Sequence, residues 1–274
     1  MAQHTPFDIN TLLLTANPDD WRWSNLGYWA NARDYGQACQ QLALLHGQAV
    51  DLQAGQHLLE LGCGYGAALA LWQQQFQVSQ IDALEYRPHC VEQIQAQQYP
   101  ALARVCQGRF DRPLKAPLAG QHYDAVLCVD AAYHAQSLEQ FLALIASALK
   151  PSGQFAFSTL LLASTYSDYP WQQRAGIRAA LALARVNRMA VLSEVQLLKI
   201  AQEQGLTVKL QSLTEHVFSG FAAWIALRES QLSQQQKRGA DWQKIYWTAR
   251  FCRYLSQHPL LDYVLVSGQV DTHC

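Results

Sequence analysis

Three glycines spaced two apart, Gly62, Gly64 and Gly66, follow directly on the apolar run Leu58-Leu59-Glu60-Leu61. Glycine reaches positive φ and carries no Cβ, so such a turn lets a ligand lie against backbone. His57–Leu61 reads as a strand entering the turn, and Ala67–Phe76 as the helix leaving it. In an open α/β sheet, ligands bind beyond the carboxyl ends of the strands, where strand order reverses. A dinucleotide site would need G-x-G-x-x-G. The spacing here is G-x-G-x-G with the acid Glu60 before it, which suits a nucleoside without a pyrophosphate.

The rest of the chain keeps the same rhythm. A helical pattern covers about 31–54, with Ala38, Leu42, Leu45 and Val50 at helical spacing and Gly55 beyond its end. After the first strand and helix come a strand at Val78–Leu84, a helix at about Pro88–Gln98 opened by its proline, and a short strand at Arg104–Gln107. Tyr123–Val129 is nearly all apolar, as a strand buried on both faces should be. Ser137 caps a helix with Gln140 as capping-box partner, and Lys150-Pro151-Ser152-Gly153 stops it before a strand at Gln154–Leu161. The segment Ser164–Val191 has a helical core and no evident strand. A helix at Ser193–Glu203, a strand at Leu206–Leu213, helices within 218–258 broken at Ser230–Gly239, and a terminal strand at Leu261–Gly268 complete the chain. Strand–helix alternation of this kind predicts an α/β fold with a mainly parallel sheet covered on both sides.

Composition narrows the function. Half of the 274 residues are hydrophobic, enough for a sizeable core, and the formal net charge is −1. Near-neutrality argues against a general nucleic-acid coat, which needs many phosphate contacts from Lys and Arg. The polar surface is supplied by 34 Gln against 41 charged side chains, in runs such as Gln73–Gln75 and Gln234–Gln236. Seven scattered Cys with no CxxC read as reduced thiols rather than a disulfide frame or zinc site, so no metal is expected. The N-terminus lacks a basic segment followed by an apolar one, and no apolar stretch approaches the roughly 20 residues of a membrane span. A cytoplasmic location is the expectation.

With these residues in view, Glu60-Leu61-Gly62-Cys63-Gly64-Tyr65-Gly66 resembles motif I of class I S-adenosylmethionine (SAM)-dependent methyltransferases. The resemblance implies a Rossmann-like seven-stranded sheet with an antiparallel terminal strand and helical lid elements, and SAM as cofactor. It further implies that Glu60, Gly62, Cys63, Gly64 and Gly66 contact the cofactor. An acid closing the second strand would hold the ribose hydroxyls. Glu85, three residues before Pro88, fits that pattern, with Asp82 in reserve. The acid that binds adenine after the third strand is displaced here, Gly108-Arg109-Phe110-Asp111, leaving Asp111 as the substitute. Val129-Asp130-Ala131-Ala132-Tyr133-His134 resembles a small-molecule subgroup in which an aromatic-His pair follows strand four, and Asn25-Leu26-Gly27-Tyr28-Trp29 resembles that subgroup's cofactor-covering arm. Asp130, Tyr28 and Trp29 are thereby assigned to the cofactor, Tyr133 to the substrate, and His134 to the role of general base or substrate-orienting group.

The implied organisation is an N-terminal arm and helix over the cofactor (1–54), a SAM-binding core (55–163), a helical insert (164–192), and completion of the core with a lid at about 218–258 (193–274). Arg174, Arg178, Arg185 and Arg188 in the insert would fall on one face of a single helix, a solvated stripe or a guide for an anionic or carrier-protein-bound substrate. Aromatics at 215–258 read as core or as the lining of an apolar pocket, with His216 as a second polar group there. The expected function is methyl transfer to an O, N or C atom of a small, fairly apolar metabolite. A SAM-binding regulator without transferase activity and a protein or RNA methyltransferase are the alternatives, and a homodimer is compatible with the sequence.

Overall fold

The computed structural model describes residues 9–164 and 166–271. Five parallel strands, β1 (His57–Leu61), β2 (Gln80–Glu85), β3 (Leu102–Gln107), β4 (Tyr123–Cys128) and β5 (Leu149–Leu162), join β7 (Leu206–Ser212) and β8 (Leu261–Val270) in the order β3-β2-β1-β4-β5-β8-β7. The C-terminal strand β8 runs antiparallel to both of its neighbours. An eighth strand, β6 (Leu192–Ser193), is a two-residue pairing on β5 that strand periodicity is too coarse to reveal. The order reverses between β1 and β4, so the glycine turn at the end of β1 opens into the crevice where such sheets bind ligands.

Side chains alternate across the sheet and feed two cores. Leu58, Ala125, Leu127 and Ala156 face the core shared with α1 (Tyr35–Ala49), α2 (Ala67–Phe76), α3 (Pro88–Ala96), α7 (Thr214–Gln231) and α9 (Ala240–Gln257). Leu59, Leu61, Val126, Phe155 and Phe157 face the other core, with α4 (Leu138–Ala148) and α6 (Glu194–Glu203). The α4 stripe Leu138, Phe141, Leu142 and Ile145 is fully buried, and Phe141 meets Phe157 edge-to-face at 5.0 Å. The Ser137 side chain accepts from the Gln140 backbone N–H at the start of α4, and Ser193 with Gln196 forms a complete capping box on α6.

Several boundaries differ from the sequence pattern, and two of the differences have a clear local cause. Lys150–Gly153 does not separate helix from strand: Leu149 already pairs with Tyr123, and pairing resumes at Gln154 opposite Ala125, so the four residues bulge from β5. Lys150 is held there by an ion pair with Asp124, 2.7 Å. In the insert, α5 (Trp171–Leu183) is shorter than the helical pattern, because Arg185 takes a left-handed conformation, φ 54°. A short helix, α8 (Gln234–Arg238), lies in the Gln-rich break between α7 and α9. Cys39, Cys63, Cys90, Cys106, Cys128 and Cys252 are free thiols, and Cys274 lies outside the described residues. Among the described residues no group of His, Cys, Asp and Glu is arranged to hold a metal, and no helix is long and apolar enough to cross a membrane.

Candidate active site

A cleft of about 170 Å³ opens at the carboxyl ends of β1, β2 and β4, lined among others by Glu60, Gly62, Cys63, Gly64, Glu85, Asp111, Asp130 and His134. The glycine turn is its floor. Gly62 and Gly64 sit at φ 71° and 61°, conformations that side chains rarely adopt. A Cβ on Gly62 would lie 2.8 Å from that of Ala131. Gly66 does not line the cleft; it stands left-handed at the N-cap of α2.

The acids differ in what holds them. The Glu85 carboxylate accepts from the Gly64 N–H (2.7 Å) and from the Arg87 backbone N–H and Nε (3.0 and 2.9 Å), which joins the end of β2 to the turn after β1. Arg87 lies over the Tyr65 ring, 5.2 Å from its centroid. Asp82, the reserve candidate, is outside the cleft and fully buried, accepting from Arg104, Tyr123 and His57 within the sheet. Glu60 is buried and accepts from the Trp72 indole N–H at 2.7 Å. Burial pushes its carboxyl up to about 8, opposed by the Trp72 hydrogen bond and reinforced by the charge of Glu85. Asp111 is gripped by the Arg109 fork, Nε at 2.9 Å and Nη2 at 2.6 Å, and by the Gln136 N–H. Burial would raise this carboxyl, but the hydrogen bonds from Arg109 and Gln136 outweigh it and leave it below the usual carboxylate range. The displacement of the acid by two positions thus coincides with an arginine folded back onto it.

A second chamber, about 220 Å³, adjoins the cleft. Ile9, Ser24, Asn25, Asp130 and His134 line both. Its other walls are mainly apolar, with Leu14, Leu160, Phe218, Phe221, Ile245 and Phe251 drawn from distant parts of the chain. In the dividing wall Asp130 is left-handed, φ 55°, and carries a hydrogen-bond hub. Its carboxylate accepts from the Leu26 N–H (2.7 Å), the Tyr133 hydroxyl (2.8 Å) and the Tyr263 hydroxyl (2.6 Å), while its own N–H donates to Ser158 (2.8 Å). Burial pushes this carboxyl up to about 6, the three hydrogen bonds opposing. His134 lies in the 3-10 turn Ala132–His134, its ring 4.5 Å from that of Tyr133. Desolvation lowers its imidazole to about 4, against a backbone hydrogen bond with Arg185. At neutral pH it is an uncharged hydrogen-bonding group and a weaker base than a solvated histidine.

Other expected site residues lie elsewhere. Tyr28 and Trp29 line neither space: Tyr28 meets His216 edge-on at 5.2 Å, and Trp29 packs on Trp224 at 5.5 Å. Arg22, Trp23, Ser24 and Asn25 face the cleft in their place, because Tyr28 and Trp29 anchor the arm on α7 while the preceding residues cross the turn. His216 is likewise outside the chamber lining. The four arginines share no helix face, since α5 ends before Arg185 and Arg188 stacks on Tyr166 at 4.8 Å. Residues not singled out by sequence include Arg87, Phe110, Ser158 and Tyr263. Tyr263 opens the apolar run Tyr263–Val266, and its spacing bears no local mark of a polar role.

An open α/β sheet with this strand order and a glycine-floored, acid-lined cleft at the reversal defines the Rossmann-like class that binds nucleoside cofactors. The methyltransferase-domain family profile matches residues 28–211, two-thirds of the chain, so the protein belongs to that family. It is a SAM-dependent methyltransferase. Comparison of the sequence with curated proteins finds no significant match. Among solved structures it is similar to a mycolic acid cyclopropane synthase complexed with S-adenosylhomocysteine (SAH) and CTAB (17% identity, 97% of this chain and 95% of that one, TM-score 0.74). It is also similar to a proposed sarcosine dimethylglycine methyltransferase from Galdieria sulphuraria (20% identity, 90% and 93%, TM-score 0.70) and to geranyl diphosphate C-methyltransferase from Streptomyces coelicolor A3(2) (14% identity, 97% and 99%, TM-score 0.70). These likenesses are of fold.

Proposed function

We propose that this enzyme methylates an O, N or C atom of a small, largely apolar acceptor held in the second chamber. The observation that carries this reading is the shared wall: a mainly apolar space meets the cofactor cleft at Asp130 and His134. The ligands named for two fold neighbours, CTAB and geranyl diphosphate, have apolar chains and agree with it.

The cofactor, when bound, supplies an electrophilic methyl group on a sulfonium and a neutral thioether leaving group. The chain's own residues bind and aim. The glycine turn admits the nucleoside against backbone. Glu85 receives the ribose hydroxyls, Glu60 the amino group of the methionine portion, and Asp111 with Arg109 borders the adenine. Glu60 must lose its proton to receive a cation, which its position beside the cleft permits. The apolar walls exclude water from the acceptor, and His134 orients it by a hydrogen bond.

The test is transfer of isotopically labelled methyl from SAM to a panel of apolar alcohols, amines, enolic compounds and alkenes. A methylated apolar product supports the reading. Tight SAM binding with transfer to none of them favours a binding protein without turnover. Transfer only to charged hydrophilic amines or to protein overturns the apolar-acceptor assignment.

A further inference from the structure

The hydrogen bonds around Asp130 have a direction. The Asp130 N–H donates to Ser158 Oγ (2.8 Å), and the Tyr263 hydroxyl donates to Asp130 Oδ1 (2.6 Å) and also reaches Ser158 Oγ (2.9 Å). Tyr133 donates to the same Oδ1 at 2.8 Å. Asp130 is therefore the end point of two phenol donors. Tyr133 also lines the apolar chamber, and Asp130 lines both chamber and cleft.

We propose that Tyr133 and Asp130 are the proton-accepting pair of the methyl transfer, with Asp130 as the final proton acceptor. The inference rests on the acceptor occupying the second chamber. The lone pair of the acceptor atom forms a bond to the methyl carbon, and the carbon–sulfur bond breaks with its electron pair left on sulfur. The proton of the acceptor atom passes to Tyr133 Oη as the proton of Tyr133 passes to Asp130 Oδ1. One positive and one negative charge vanish together, which suits a site of low dielectric.

The surroundings of Asp130 favour this role. The titratable groups that feel its charge are Tyr35 and Cys39 on α1, Cys128 on β4, Cys252 on α9, Tyr133 and Tyr263. All are raised by burial and uncharged at neutral pH. The cations lining the two spaces, Arg22, Arg87, Arg109, Arg185 and Lys244, are not among the groups that shift Asp130. Among the described residues its carboxylate is stabilised by three neutral donors, and its value of about 6 lets it hold a proton that His134, at about 4, would not. A cation in the cleft lowers Asp130 while the methyl is in place; as the methyl leaves, the carboxyl becomes the stronger base.

Two measurements decide it. Carboxyl-carbon NMR of the full chain, with Asp130 assigned by Asp130→Asn, gives its titration midpoint with SAM and with SAH. The midpoint should be lower with SAM by about 1 pH unit or more. Equal midpoints, or an Asp130 that stays ionised below pH 4, overturn the proposal. With an acceptor from the panel above, Tyr133→Phe and Asp130→Asn should each lower kcat by about 100-fold, leave the acceptor KM nearly unchanged and remove the acid limb of the kcat–pH profile. His134→Gln should keep that limb. Unimpaired kcat in Tyr133→Phe, or loss of the limb only in His134→Gln, overturns it. A panel in which nothing is methylated counts against the acceptor reading, and the SAM–SAH titration then decides the pair alone.

Discussion

The glycine-floored cleft and the second chamber share a wall and are built in opposite ways. The cleft takes its floor and three of its acids from short contiguous stretches, 60–66, 85–87 and 109–111, each at the end of a strand. The chamber takes Leu14 from the arm, Leu160 from β5, Val186 from the insert, Phe218 and Phe221 from α7, and Ile245, Phe251 and Leu255 from α9. One is a property of local backbone geometry; the other is a property of packing. A substitution in the cleft should therefore act on binding and one in the chamber on folding, and that division can be broken by experiment.

The largest effect is expected on the chamber side. Phe221 is 3% exposed and belongs to the core that covers β5 and β8. Phe221→Ala should cost about 3 kcal/mol of stability in urea unfolding, the lower end for a buried Phe because one side already borders open space. SAH affinity of the folded variant should change by less than about threefold, because Phe221 lines the chamber and not the cleft. A loss of affinity as large as the loss of stability would show that chamber and cleft are one cooperative unit.

Gly64→Val tests the other side. At φ 61° a β-branched residue is strained, and its Cβ would stand 3.4 Å from Ser24 and Arg87, inside the cleft. SAM and SAH affinity should fall by about 100-fold or more in calorimetry, with a smaller loss of stability than in Phe221→Ala. Retained affinity would mean that the cofactor does not lie on the glycine turn.

This division also explains what the sequence made legible. The strand–glycine–helix unit at 57–76 is determined locally: apolar residues, three glycines, then a helical stripe, and both element boundaries agree with the structure. The capping serines at 137 and 193 mark helix starts for the same reason. The arm is different. Tyr28 and Trp29 match a motif, yet which face of the arm meets the cleft depends on where α7 lies, and α7 is almost two hundred residues away. The hub on Asp130 joins residues 26, 130, 133, 158 and 263, and only its strand-four part has a local signature. The end of α5 is not legible in the pattern, because periodicity continues through Arg185 whereas the backbone turns left-handed there.

A pH dependence separates the two sites further. Glu60 titrates near 8 in the folded chain against an ordinary 4.5. Its raised value means that the folded state binds the extra proton, so its contribution to stability of the ligand-free protein diminishes as pH rises from about 4.5 through about 8. Binding of a cationic amino group runs the other way, since it requires the carboxylate. SAM affinity should rise by about tenfold or more between pH 6 and pH 8 and then level off. Glu60→Gln should flatten that rise. The same variant should leave the Asp130 titration in place, because Glu60 is not among the groups acting on it. A pH-independent affinity in the wild type would remove Glu60 from the amino-group site.

The smallest effect is expected for the arginines of the insert. On a single continuous helix, Arg174, Arg178, Arg185 and Arg188 would form one positive stripe able to steer an anion. The actual helix stops at Leu183, which leaves only Arg174 and Arg178 on it; Arg188 is committed to the Tyr166 ring, and only Arg185 reaches the chamber lining. Arg178 is exposed, where a charge in water contributes little. The double change Arg174→Gln, Arg178→Gln should therefore alter acceptor KM by less than about twofold even at low ionic strength, where steering by surface charge is least screened. A salt-dependent rise in KM well beyond that would restore a guiding role to the stripe, and would place part of acceptor recognition on α5, outside the wall that chamber and cleft share.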